Sequence, residues 1–207
     1  ITPDEFIPLA EESGLIIDIS NWVFNEVCAN IKQWKAQNRQ ELQVSINTSP
    51  SHYFNLESNI TQWLNLLLDQ KISARSILLE VTENLLMEAN EMVSKKLFQF
   101  RQAGVDIALD DFGTGYSSIS YLKRFPTDFI KIDRSFVKSM TDVSNDKVLC
   151  EAIIVMANKL GIKVVAEGVE TQEQYDILKS MGCDYAQGYF IAKPLSKSDF
   201  ESFWERH

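Results

Sequence analysis

The sequence is poor in thiols, imidazoles and positive charge. Its three cysteines, Cys28, Cys150 and Cys183, are odd in number and far apart, with no CxxC pair. Neither a disulfide framework nor a thiolate zinc site is indicated, and reducing, cytoplasmic surroundings are expected. Only two histidines occur, His52 among loop residues and His207 at the end, and both are expected to be exposed rather than metal ligands. Twenty basic residues face 29 acidic ones, a formal charge of −9, which excludes a passive basic cradle for polymeric nucleic acid. An anionic ligand would need metal as intermediary. No apolar run approaches the length of a membrane span, and Ile1-Thr2-Pro3-Asp4-Glu5 lacks the charged-then-apolar order of a signal peptide. Direct membrane binding is therefore not expected. The expectation is a soluble cytoplasmic domain, whose parent protein can still be membrane-anchored.

What the chain does have is core. With 207 residues, 45% of them hydrophobic, it can bury one sizeable interior, so residues 1–207 are read as one domain. Thr2 can N-cap a helix with Pro3 in its first position and Glu5 closing a capping box, and Gly14 would end it. A second helix is expected at about 18–36, with Val23, Phe24, Val27, Ile31 and Trp34 on one stripe. Short apolar runs of strand character then recur at 42–46, 77–81, 105–109, 129–132, 162–166 and 185–191, separated by helical segments. Residues 149–160 carry a helical stripe closed by Gly161, 171–181 opens on a Thr171/Gln174 capping box, and 197–206 reads as a last helix.

Alternation of this kind means α/β architecture, with parallel strands joined by crossover helices. That leaves a doubly wound open sheet or a TIM-like (β/α) barrel. Six strands do not close an eight-stranded barrel, so on the barrel reading about two N-terminal strands are missing from this chain and are expected upstream.

The polar residues favour the barrel. Asn47 follows Val44-Ser45-Ile46; Glu80, with Glu83 beyond it, follows Ile77-Leu78-Leu79; Asp110 and Asp111 follow Ile107-Ala108-Leu109. Lys131 and Asp133 alternate with isoleucines, Glu167 and Glu170 follow Val164-Val165-Ala166, and Gln187 sits in Tyr185-Ala186-Gln187-Gly188. All lie at or near C-terminal strand ends, where a parallel barrel builds its site. Any one of them alone is more often a solvated acid or a helix cap. The series across six strands weakens that reading, although Glu83 and Glu170 also precede helices whose dipoles favour a carboxylate.

Converging carboxylates and an amide make a hard-oxygen site suited to Mg²⁺ or Mn²⁺. Adjacent Asp110 and Asp111 would point to opposite faces of a regular strand, so both can serve only if the chain bends. Gly113 and Gly115 would permit the bend, and one shared carboxylate could bridge two metals roughly 3.5–4 Å apart.

Taken in order and spacing, several stretches resemble the EAL domains that hydrolyse cyclic di-GMP. They are Pro3 to Glu11, Leu79-Glu80-Val81-Thr82-Glu83, the run from Asp110 through Gly115, Tyr116 and Ser117 to Ser118, Lys131-Ile132-Asp133, Ala166-Glu167-Gly168-Val169-Glu170, and Gln187-Gly188-Tyr189. The resemblance implies a barrel in which Asn47, Glu80 and Asp110 ligate one metal while Asp110, Asp111 and Glu167 hold or address a second. It further implies that Lys131 touches the attacking water or the phosphate, that Glu83 braces the loop after Asp111, and that Gln187 and Glu170 lie near water or guanine, with Asp133 in support. The Glu-Ala-Leu motif that names the family, with its metal-binding glutamate and following arginine, is absent from this chain and expected upstream, so the fragment alone should be inactive or impaired. A smaller departure is Thr48, where family members commonly carry leucine; little consequence is expected.

The implied reaction is two-metal hydrolysis of cyclic di-GMP to linear pGpG, with water attacking phosphorus in line with the 3′ oxygen and no covalent enzyme intermediate. A catalytically inactive cyclic di-GMP receptor is the alternative, disfavoured because every ligand position within the chain is filled. An unrelated metal-dependent barrel enzyme, such as a lyase, would leave the motif spacing unexplained. The resemblance also implies a homodimer, and an upstream sensor or GGDEF-type domain in the full-length protein.

Overall fold

A computed structural model describes residues 1–37, 42–54, 60–114, 122, 124–125, 127–140 and 144–206. Of the positions named above, Gly115, Tyr116, Ser117, Ser118 and His207 lie outside the described residues. The chain forms two compact units, Ile1–Phe129 and Ile130–His207.

The first unit begins with the helices Pro3–Glu12 and Ile16–Ala36. The Glu5 carboxylate accepts from the N–H and hydroxyl of Thr2, at 2.7 and 3.1 Å, closing the first turn as the sequence led one to expect. The longer helix buries Ile16, Ser20, Phe24, Cys28, Ile31 and Trp34, a stripe at intervals of three and four. Phe24 stacks on Trp63 of the helix Ile60–Asp69 with ring centroids 4.3 Å apart. Three strands follow, β1 (Val44–Asn47), β2 (Ile77–Thr82) and β3 (Asp106–Phe112), with β1 and β3 each pairing in parallel with β2. Five of the six residues of β2 are buried, as a central parallel strand requires.

In the second unit the strand order is β4 (Phe129–Ile132), β5 (Lys163–Ala166) and β6 (Tyr185–Ala186), with β5 and β6 parallel. The helix Asn145–Leu160 is N-capped by Ser144, whose hydroxyl accepts from Lys147 N–H, and ends on Gly161 in the left-handed region. Gln172–Ser180 opens on the expected Thr171/Gln174 capping box, and Lys197–Arg206 is the last helix.

One device appears in both units at the N-terminal ends of strands. The Asp128 carboxylate accepts from Ile107 N–H at 3.1 Å, and the Asp184 carboxylate accepts from Val164 N–H at 2.8 Å. Each aspartate immediately precedes or nearly precedes a strand and satisfies the entering amide of the strand before it.

Every strand but β4 differs at a boundary from the one read in the sequence: β1 starts at Val44, β2 runs on to Thr82 and β5 starts at Lys163, with larger differences in β3 and β6. β1 extends to include Asn47. β3 runs on through Asp110, Asp111 and Phe112, because ladder pairing depends on backbone register, and Thr82 still pairs with Asp110 after the apolar run has ended. β6 is two residues long rather than seven. At Gly188 the chain turns onto the backbone of Val169, with Phe190 N–H bonding Val169 O at 2.9 Å and Ile191 N–H bonding Gly188 O at 3.0 Å. A Cβ at Gly188 would sit 2.2 Å from Val169 O, so only glycine permits the approach.

His52 also departs from expectation. It lies in the short helix Ser51–Phe54, is 7% exposed, and packs against Trp63 with centroids 5.1 Å apart.

Candidate functional site

The register of the first unit decides which side chains share a face. Asn47 pairs with Glu80, Glu80 pairs with Ala108, and Asp110 stands two residues beyond Ala108. Paired residues of parallel strands point the same way and side chains alternate along a strand, so Asn47, Glu80 and Asp110 lie on one face. Glu80 is 4% exposed, Asp110 half-buried and Asn47 exposed, giving a donor row that runs from the interior outward.

Asp111 takes a different course. Its φ is +54°, a left-handed conformation that aspartate adopts only at a cost, so the chain bends at the carboxylate pair itself and not only at the glycines beyond. The Asp111 N–H donates to Asp110 Oδ1 at 3.0 Å and the Asp111 side chain is exposed. Gly113, φ +98°, continues the bend, and its N–H donates to Glu83 Oε2 at 3.3 Å. Glu83 is 5% exposed, and its Oε1 is buried with no hydrogen-bond partner among the described residues.

In the second unit, Lys131 on β4 is 4% exposed, and its Nζ lies 2.6 Å from Glu167 Oε1. Glu167 follows β5, held by its N–H to Ile132 O at 3.1 Å. The next residue, Gly168, has φ +69°, and a Cβ there would meet Arg134 Cβ at 2.6 Å. Asp133 is engaged as an N-cap: its Oδ1 accepts from the N–H and hydroxyl of Ser135, opening the helix Arg134–Lys138. Glu170 and Gln187 are exposed. The Glu170 N–H donates to Gln174 Oε1 at 2.8 Å, and Gln187 N–H donates to Ala166 O at 2.8 Å, so both are positioned through backbone.

Chemically the donors of the first unit are amide and carboxylate oxygens. Burial pushes the thiols of Cys28 and Cys183 up to about 11 and that of Cys150 to about 12, which leaves them protonated and poor ligands. Among the described residues no three His, Cys, Asp or Glu side chains gather into a metal-holding group. The set that the register places on one face is mixed, one amide and two carboxylates, Asn47 with Glu80 and Asp110. This fits a hard divalent ion that keeps waters and phosphate oxygens in its shell.

A sequence model of the EAL domain family matches residues 1–194. The chain belongs to the EAL domain family. It is 37% identical over 195 residues to the bifunctional diguanylate cyclase/cyclic di-GMP phosphodiesterase MucR of Pseudomonas aeruginosa, covering 94% of this chain and 28% of that protein. The EAL chain thus spans under a third of the length of this relative. The solved structure of the MucR phosphodiesterase in complex with c-di-GMP matches with a TM-score of 0.91 at 36% identity, covering 97% of this chain and 81% of that one. The Klebsiella pneumoniae BlrP1 complex with manganese and cyclic di-GMP matches with a TM-score of 0.73 at 30% identity, over 86% of this chain and 45% of that one. The fold class is accordingly α/β, of the TIM-like barrel type.

Thr48, a departure from the EAL pattern expected to be of little consequence, is bonded in the structure to the strand that carries Glu80. It is 7% exposed, and its N–H and hydroxyl both donate to Glu80 O, at 3.0 and 2.8 Å. The sequence marked the position, by a hydroxyl where the family commonly has leucine, but not the partner of that hydroxyl. Gly168 was noted as part of a motif without the close approach of Arg134 that requires it.

Proposed function

We propose that this EAL domain, within its full-length protein, hydrolyses cyclic di-GMP to linear pGpG using Mg²⁺ or Mn²⁺. The observation that carries the reading is the parallel register that sets Asn47, Glu80 and Asp110 on one face. In this reading those three residues and Asp111 are the first unit's metal donors. Asp110 would be the principal carboxylate donor, and Glu167 is proposed, from the resemblance, as a further metal donor. A bound divalent ion supplies positive charge to the phosphate oxygens and lowers the pKa of a coordinated water.

The chain's own groups do the rest. Lys131, fixed by its 2.6 Å contact with Glu167, presents a cation to phosphate or water from a nearly dry strand end. Glu167 is a proton acceptor within reach of the same place. Glu83 holds Gly113 and so fixes the bend that carries Asp111. Glu170 and Gln187, exposed near the end of the same strands, are read as contacts for water or guanine, with Asp133 setting the helix beside them. One water is consumed: its oxygen bonds phosphorus, the P–O3′ bond breaks, and the 3′ oxygen leaves as a hydroxyl.

MucR is named as both cyclase and phosphodiesterase, and by analogy we infer a companion cyclase-type (GGDEF-type) domain for this protein; an upstream sensor, a homodimer and a cytoplasmic placement are inferred from the sequence alone. No helix among the described residues is long and apolar enough to cross a membrane. The reading is tested by incubating the full-length protein with cyclic di-GMP and Mn²⁺ and separating the products. Formation of pGpG that disappears in Glu80→Gln supports it. Tight binding of intact cyclic di-GMP without turnover would instead make the domain a receptor.

A further inference from the structure

Thr48 and Tyr53 form a chain of hydroxyls that ends on the backbone of Glu80. Thr48 has one O–H to give, and it points to Glu80 O at 2.8 Å. The Tyr53 hydroxyl, 3.0 Å from Thr48 Oγ1, must therefore be the donor of that second bond. Thr48 N–H adds a third contact, 3.0 Å to the same Glu80 carbonyl, so both lone pairs of that oxygen are taken by one residue. Thr48 is 7% exposed and Tyr53 1%, so water does not compete for these bonds.

This chain grips the sheet where the donors are. Thr48 directly follows Asn47, and Asn47 is the partner of Glu80 in the ladder. Sliding or tilting β1 against β2 at that level would have to break both Thr48–Glu80 bonds in a dry place, while Tyr53, from the helix Ser51–Phe54, holds the Thr48 hydroxyl in line. Ser49, the next residue, is tied separately, its hydroxyl donating to Glu11 Oε1 at 2.7 Å, so the segment after Asn47 is held from two directions.

We propose that Thr48 and Tyr53 are positioning residues which set the height of Asn47 against Glu80 and thereby tune divalent-metal affinity. The proposal rests on the metal-site reading above. Groups that orient metal ligands typically change affinity by about 10–100-fold when removed.

The test measures Mn²⁺ affinity of the full-length protein by calorimetry, alongside the thermal midpoint of the metal-free form. Thr48→Val keeps the shape but removes the hydroxyl and orphans that of Tyr53; Thr48→Ser keeps the hydroxyl. The double variant T48V/Y53F removes both hydroxyls and leaves no orphan, so it remains informative if Thr48→Val folds poorly. The expected result is Mn²⁺ affinity weakened about tenfold or more in Thr48→Val and in the double variant, with Thr48→Ser within about twofold of the parent. Unchanged Mn²⁺ affinity in the double variant, whatever its midpoint, overturns the proposal and leaves the metal site standing. Absence of Mn²⁺ binding by the parent protein overturns both.

Discussion

Lys131 Nζ and Glu167 Oε1 lie 2.6 Å apart, with Lys131 on a strand that is buried along its whole length and Glu167 just past the end of β5. The Glu167 carboxylate stabilises the deeply buried Lys131 charge, and removing either member weakens the other's setting.

The first prediction follows from that pair. Lys131→Met or Glu167→Gln alone should lower unfolding free energy by about 3 kcal/mol in urea titrations. The double variant should lose less than the sum of the two losses, because the two side chains share one ion pair. Strict additivity would show that the two side chains do not act as a pair.

A second prediction concerns the bend at Asp111, whose φ of +54° disfavours a side chain. Asp111→Gly relieves the strain but loosens the unfolded chain, so its stability should stay within about 0.5 kcal/mol of the parent. Asp111→Val, β-branched, should lose about 2 kcal/mol. Both should lose phosphodiesterase activity, because each removes the proposed donor. Thermal denaturation and product analysis on the same samples separate the two effects.

His52 sets an acid limit. Burial, with the Lys96 charge nearby, pushes its imidazole down from 6.5 to about 4. The folded chain therefore holds the ring neutral where the unfolded chain protonates it. This contribution is complete above pH 6.5 and is lost as pH falls from 6.5 towards about 4, by up to about 3 kcal/mol. His52→Leu should flatten that window in denaturation curves taken at several pH values. An unchanged slope would assign the acid sensitivity elsewhere.

Two glycines should respond in opposite measure. At Gly188 a Cβ would meet Val169 backbone atoms at 2.2 and 2.4 Å, and backbone cannot step aside, so Gly188→Ala should cost about 3 kcal/mol or more. At Gly161 nothing lies within 4 Å, and Gly161→Ala should cost only about 1 kcal/mol, from its φ of +73°. Equal losses would contradict the close approach at Gly188.

Much of this was legible in the residues because apolar runs and caps are local signals. The strand at Phe129–Ile132, the Thr171/Gln174 box and the Gly161 helix end stand where the sequence put them. Boundaries that depend on a partner strand were not legible: β3 continues through two aspartates because β2 pairs with it, and β6 stops early because Val169 lies under Gly188. Candidate donors could be named from strand exits, but that Asn47, Glu80 and Asp110 share a face is a property of register, which no single segment encodes. The same holds for His52, read as exposed and found buried against Trp63, and for Thr48, whose role lies in the carbonyl of a residue 32 positions away.

The most direct test is hydrolysis of cyclic di-GMP by the full-length protein with Mg²⁺ or Mn²⁺, comparing the parent with Asp110→Ala. Linear pGpG from the parent, and a rate reduced by at least about a hundredfold in Asp110→Ala, is the predicted result. Asp110→Ala turning over cyclic di-GMP at the parent rate would contradict the assignment of Asp110 as the principal carboxylate donor, and with it the central claim.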